Sequence, residues 1–397
     1  MSTGGNSASP NCRGFRLHGG LSRPLELGAG GTKRGLGRPV FASAALDLSA
    51  LSGIVSYEPE ELILTLKPAT PLAEVDALLS KKKQMLAFEP PSLAALYGAG
   101  GAATIGGAVA ANLSGPRRFK AGAARDHVLA VRCVNGRAEI LRTGSRVMKN
   151  VTGYDLPKLM TGSFGTLGVF TEMTLRLVPQ PPEEATLALR GLPDAKALGV
   201  LVEAAGLSFD ASGLAHLPAA TMALPWGTRR GGQSLTALRF EGARDSVLER
   251  VQAMTVRFRA PDATVLRGPE SRVLWREIGE LHPFADTGGP VWRLSIPPAS
   301  AEAAMLELGA RAIVFDWAGG LLTCLMHESP AADAALMRAV TARNGGHATL
   351  LRADDAIRSA ADVFEPLTRA QDALARGIKS AFDPKGFFNP GRMYAGF

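Results

Sequence analysis

Two glycine-rich loops carry the residues of this 397-residue sequence best suited to chemistry. The first is GAGGTK, Gly28 to Lys33, and the second is GAGGAATIGGAVAANLSG, Gly98 to Gly115. Glycine removes the Cβ from the path of a ligand and admits φ > 0, so the backbone of such a loop can close around it. Successive N–H groups arranged in this way surround anionic oxygens, above all those of a diphosphate. Lys33 adds a cation to the first loop, while Thr104, Asn112 and Ser114 add two hydroxyls and an amide to the second. The bland alternative is a pair of tight turns with close helix–strand packing, and it weakens when both loops occur in one chain.

Neither loop follows the two common phosphate-binding patterns. Gly98 to Ala103 fits G-x-G-x-x-A, but the preceding PPSLAALY is not a β-branched strand. The next acidic residue, Asp126, lies beyond the spacing of about 20 residues at which a ribose contact is expected. Lys33 follows Thr32 and precedes Arg34, so GAGGTK lacks the Gly-Lys-Ser/Thr of a P-loop.

The elements that must hold these loops are legible from periodicity. PLELGAGG predicts a strand running into the first loop, and Glu61 to Thr70 alternates as a strand. Leu72, Val75, Leu78 and Leu79 recur at helical spacing, after Thr70 as an expected cap and Pro71 as the first position. DHVLAVRCVN and RAEILRT, joined at Asn135-Gly136, predict a β-hairpin, and Gly168 to Pro179 a further strand. The Pro-rich stretch Pro179 to Pro182 is the expected domain boundary. Beyond it, Ala-rich helices alternate with strands such as SLTALRF and VWRLSI, as an α+β second domain would.

Composition narrows the function classes. Charged residues make up 20% and apolar ones 46%, as in ordinary globular proteins. The net charge is +8, but the basic residues are scattered, and four Tyr and four Trp give little for base stacking, so nucleic acid is not an expected partner. Cys12, Cys133 and Cys324 are isolated, so no zinc or iron–sulfur cluster is expected on this chain, and a reducing, cytoplasmic setting is. No run of apolar residues is long enough to span a membrane, and no signal peptide is evident. Residues 1–24 are Gly/Ser/Asn-rich and are expected to be disordered or atypical.

GAGGTK, TIGGAVAANLSG and the run from Ala124 to Pro179 together resemble the vanillyl-alcohol oxidase/p-cresol methylhydroxylase superfamily of FAD-binding proteins. KNVTGYDLPKLMTGSFGTLGVFTE, Lys149 to Glu172, is similar to the 2-hydroxy-acid dehydrogenase branch, as is KSAFDPKGFFNPGRMY near the end. WREI, VWRLSIPP, FDWAGG and GGHATLLRA look like the FAD-binding E-subunit family of bacterial glycolate oxidases. The resemblance implies an α+β fold: a two-lobed FAD-binding domain at 25–182, an α+β cap at 183–375, and a tail at 376–397 returning to the flavin domain.

It further implies that Gly28, Gly30, Gly31, Thr32 and Lys33 form the pyrophosphate loop. Thr104, Ile105, Gly106, Gly107, Asn112, Ser114 and Gly115 would line the other side of the diphosphate and the flavin edge, and Gly168 and Val169 would contact FAD through backbone groups. The flavin would be non-covalent, since that loop holds no His or Cys for attachment. The branch's His-x-Gly-Asp-Gly-Asn metal motif is missing, so no metal is expected, no catalytic residue is assigned, and substrate oxidation by this chain alone is in doubt. His347, Arg293 and Arg392 are weaker candidates, each with a structural explanation, and Asp126 is expected to pair with Arg125. The implied partners are a sister FAD subunit, an iron–sulfur subunit and a small anionic substrate such as glycolate, with any membrane contact made through the assembly. A free-standing FAD-dependent oxidoreductase and a non-catalytic assembly subunit stay open as alternatives.

Overall fold

The computed structural model describes residues 23–145, 154–260, 263–327 and 330–397. The expectation for the extreme N-terminus and the first residues of the Lys149–Glu172 motif therefore lie outside the described residues.

Two antiparallel sheets organise the chain. The first has five strands in the order Ile54–Glu58, Ile63–Leu66, Val169–Arg176, Val128–Val134, Ile140–Gly144. Its second strand, ILTL, is buried at all four positions, so it lacks the alternation of a half-exposed strand. The hydroxyls of Thr65 and Thr174 satisfy each other inside it at 3.0 Å. The helix Leu72–Ser80 buries Leu72, Val75 and Leu79, as its spacing predicts. Its cap differs from expectation. Thr70 Oγ1 donates to the Lys67 carbonyl and accepts from Gly53 N–H, so it ties the preceding turn and leaves Pro71 at the cap position.

The second sheet has eight strands. Their order is Thr264–Arg267, Glu183–Arg190, Leu235–Gly242, Gly213–Leu217, Ala312–Asp316, Leu321–Leu325, Val291–Ser295, His347–Arg352. Side chains alternate across a strand with period 2, and here each face has its own core. Leu187, Leu238, Phe315, Leu294 and Leu350 point toward a layer of helices that includes Asp194–Gly206, Arg244–Arg257 and Ala301–Leu308. Their neighbours Ala188, Ala237, Val314 and Leu351 share the other core with Leu36, Leu93, Leu96 and Leu113. Leu36, Leu93 and Leu96 flank the two glycine-rich loops and Leu113 lies within the second, so both loops are tied to this core.

The hairpin Val128–Val134/Ile140–Gly144 is present, but Asn135-Gly136 does not form a two-residue turn. Asn135 N–H donates to the Glu139 carbonyl, and Asn135 Oδ1 accepts from the N–H groups of Arg137 and Glu139. The longer loop receives the end of the helix Arg369–Phe382, with Gly136 N–H donating to the Phe382 carbonyl at 2.8 Å. A Cβ on Gly136 would lie 2.3 Å from Asp383 Oδ1, so close packing, and not turn geometry, demands this glycine.

That helix opens with a capping box, Thr368 with Gln371. At its end Lys379 Nζ donates to Asp383 Oδ2 at 2.7 Å and to the carbonyls of Thr166 and Phe388. Asp383 in turn accepts from the N–H groups of Phe387 and Phe388. This buried, satisfied pair turns the chain back along the strand Leu25–Gly28, where Leu25 N–H donates to the Phe387 carbonyl and Asn389 N–H to that of Leu25.

Candidate functional site

The strand Leu25–Gly28 pairs in parallel with Ala44–Asp47 and delivers the first loop into a cavity with about 980 Å³ of empty volume. Gly28, Gly30, Gly31, Thr32 and Lys33 line it, and so do Thr104, Gly106, Gly107, Gly168 and Val169. Expected residues from both loops therefore reach one space, although the loops are far apart in sequence.

The glycines of these loops do two different jobs. A Cβ on Gly30 would sit 1.7 Å from the Ala102 carbonyl oxygen, and one on Gly101 would sit 1.9 Å from the Gly30 carbonyl oxygen. These two glycines let the loops touch backbone to backbone. A Cβ on Gly106 would likewise meet Pro68, 2.5 Å from its Cβ and 2.7 Å from its carbonyl oxygen. Gly31, at φ +73°, faces open space, while a Cβ on Gly107 would meet no backbone, only Thr104 Oγ1 at 3.3 Å and Lys33 Cδ at 3.8 Å. Room at those two positions serves whatever fills the cavity.

Lys33 supplies the charge. Its Nζ donates to Thr32 Oγ1 at 3.2 Å, and no carboxylate pairs with it among the described residues. Burial lowers its pKa to about 8, with Glu280 offsetting this in part. A partly buried ammonium without a counter-ion is costly unless an anion joins it.

The loop's shape is fixed from the far end of the sequence. Asn389 Oδ1 accepts from Leu27 N–H at 2.8 Å, and its Nδ2 donates to the Phe164 carbonyl at 2.7 Å. The Arg392 guanidinium donates to the carbonyls of Lys33, Arg34 and Arg38. Arg392 is thus a clamp on the first loop, and burial with the nearby Arg358 lowers its pKa to about 10. Asn389, Phe164 and Gly165 line the cavity and escaped the sequence reading, although Asn389 stands in the terminal motif singled out there.

Four expected residues lie away from this cavity. Ile105 is fully buried in the core of the five-stranded sheet. Asn112 Oδ1 accepts from Arg125 N–H, and Ser114 Oγ accepts from Ala124 N–H, so both side chains hold the segment after the loop. Gly115 N–H donates to the Phe88 carbonyl, and Gly115 with Ser114 borders a second, smaller hollow. Asp126 does steady its loop, but by accepting from Ala123 N–H at 2.8 Å and not through Arg125. His347 is exposed at the start of its strand. Among the described residues no group of three or more His, Cys, Asp or Glu is placed to hold a metal ion. Within the same residues, no helix is long and apolar enough to cross a membrane.

Comparison with known proteins agrees with this geometry. Residues 22–144 match the family described as FAD binding domain. The chain is 37% identical over 377 residues to the glycolate oxidase subunit GlcE of Escherichia coli (strain K12), covering 94% of this chain and 93% of that protein. It is 34% identical over 149 residues to the glycolate oxidase subunit GlcD of Bacillus subtilis (strain 168), a match that covers 38% of this chain and 30% of the relative. Among solved structures, p-cresol methylhydroxylase with substrate bound is similar at a TM-score of 0.66 and 15% identity, over 94% of this chain and 84% of the other. An alkyldihydroxyacetonephosphate synthase gives 0.63 at 14% identity, over 92% and 72%. At those identities the two structures show the shared fold.

Proposed function

The chain belongs to the GlcE family of FAD-dependent oxidoreductases, and from that membership we propose that it is the FAD-binding subunit of a glycolate oxidase assembly. In this reading it passes electrons released by oxidation of glycolate to glyoxylate toward an iron–sulfur subunit, beside a sister FAD subunit. The observation that carries the cofactor's placement is the contact of the two glycine loops around one cavity with Lys33 uncompensated inside it.

Bound there, FAD supplies the two-electron capacity that the amino acid side chains lack. The residues of the chain have simpler roles. Lys33 neutralises phosphate charge, Gly31 and Gly107 leave room for it, and Arg392 with Asn389 keeps the first loop in shape. Thr104 Oγ1 accepts from Gly107 N–H at 3.2 Å and fixes the turn of the second loop. Among the described residues no His, Cys or Tyr lines this cavity, which supports a cofactor held without a covalent bond.

The reading is tested by co-expression with the two other subunits. The chain is expected to copurify with both, and acid precipitation is expected to release its flavin into the supernatant. A chain that purifies alone and reduces a dye briskly with glycolate would replace this reading by a free-standing enzyme.

A further inference from the structure

The second hollow lies between the Ser114–Gly115 segment and the inner face of the eight-stranded sheet, with Arg293, Asp316 and Thr323 among its sheet residues. Strand pairing sets Arg293 directly opposite Thr323 on one side and Thr349 on the other. Arg293 and Arg118 both lie against the Trp317 indole, 5.0 and 4.6 Å from its centroid. Neither guanidinium has a carboxylate partner among the described residues. Burial and the field of Arg118 lower Arg293 to about 10, which leaves it a cation at neutral pH. Asp316, in the same hollow, offsets the pair only in part. One of its oxygens accepts from Trp317 N–H at 2.7 Å, and burial pushes its carboxyl up to about 7.

The backbone beneath the indole is strained. Trp317 and Ala318 have φ of +51° and +59°, a region that L-residues seldom occupy. Trp317 Nε1 then donates to the Gly115 carbonyl at 3.2 Å, which anchors the ring across the hollow to the second glycine loop. Strain of this kind persists where the surroundings enforce it, commonly at binding sites. Here it holds an aromatic plate against two cations that make no ion pair among the described residues.

We propose that Arg293, with Thr323 beside it and Arg118 sharing the Trp317 ring, forms a binding site for a small 2-hydroxy or 2-oxo carboxylate. A guanidinium takes a carboxylate through two parallel N–H bonds, and the Thr323 hydroxyl can reach an adjacent oxygen of such an acid. The choice of acid rests on the glycolate reading above. The anion site rests on the unpaired guanidiniums, and it concerns occupancy, not which flavin performs the oxidation.

The probe is oxalate, a small carboxylate that takes no part in hydroxyl oxidation, titrated calorimetrically into the purified flavin-loaded protein. Flavin content is recorded separately for every variant. Saturable binding is expected, weakened tenfold or more in Arg293→Gln, several-fold in Thr323→Val, and partly restored in Arg293→Lys. Absence of saturable binding by the unaltered protein overturns the proposal, as does binding unchanged in both Arg293→Gln and Thr323→Val. Loss of FAD in Arg293→Gln with normal oxalate binding in Thr323→Val would assign the guanidinium to the flavin and also overturn it. Should Arg293→Gln not fold, Thr323→Val and Arg118→Gln decide. Colourless protein that still binds oxalate would count against the FAD reading while sustaining this one.

Discussion

The carbonyl oxygen of Ala102 occupies the place where a side chain on Gly30 would begin, 1.7 Å from the ideal Cβ position. Gly107, across the same cavity, has no backbone atom so placed, only the side-chain atoms Thr104 Oγ1 at 3.3 Å and Lys33 Cδ at 3.8 Å. Gly30→Ala is therefore expected to force the loops apart and lower stability by about 1–3 kcal/mol, the usual scale for overpacking. Gly107→Val is expected to leave the unfolding transition nearly unchanged and to abolish FAD retention. Denaturant melts with flavin content measured in parallel distinguish the two, and equal losses of stability would contradict the division.

Lys33 is expected to give FAD affinity a pH dependence. Its pKa in the folded chain is lowered to about 8, chiefly by burial, so the cation is lost as pH rises through that value. Phosphate stabilises the charged form, and affinity should fall above pH about 8 and stay level below it. The opposite sign governs stability without ligand. Between about 8 and the ordinary lysine value the unfolded chain holds the extra proton, so this group's contribution becomes more favourable as pH rises. FAD dissociation constants measured from pH 7 to 9.5 should show the step, and Lys33→Met should weaken binding and remove it. A flat profile in the unaltered protein would be inconsistent with the role of Lys33.

Lys379 and Asp383 connect stability to the cofactor site. Removing one member of a buried pair leaves the other uncompensated, at a cost of about 3–5 kcal/mol. Lys379→Met is expected near the lower end, because Asp383 keeps its bonds from Phe387 and Phe388 N–H. The tail that follows carries Asn389 and Arg392, so FAD binding should weaken as well. A stability loss below about 1 kcal/mol with unchanged FAD affinity would show that the tail does not depend on this pair.

What the sequence made legible was local. Glycine spacing marked both loops, and apolar residues marked a strand within Glu61–Thr70, which the structure confines to Ile63–Leu66, and the helix at Leu72–Ser80. What it hid were contacts between distant segments. Asn389 reaches Leu27 across 362 positions, and nothing in either segment alone announces the other. The distinction between Gly30 and Gly31 was equally invisible, because composition cannot say which glycine faces a carbonyl and which faces space. Arg293 was legible as a cation, but its lack of an ion pair among the described residues emerges from strand register and the Trp317 turn.

The central claim is that FAD held in this chain's cavity carries electrons within a glycolate oxidase assembly. The most direct measurement is glycolate-dependent dye reduction by the purified assembly containing either the unaltered chain or Gly107→Val, with subunit and flavin stoichiometry determined on the same samples. The account predicts that the variant assembles fully, lacks one flavin and loses dye reduction. Full activity in an assembly whose GlcE-type chain holds no FAD would contradict it.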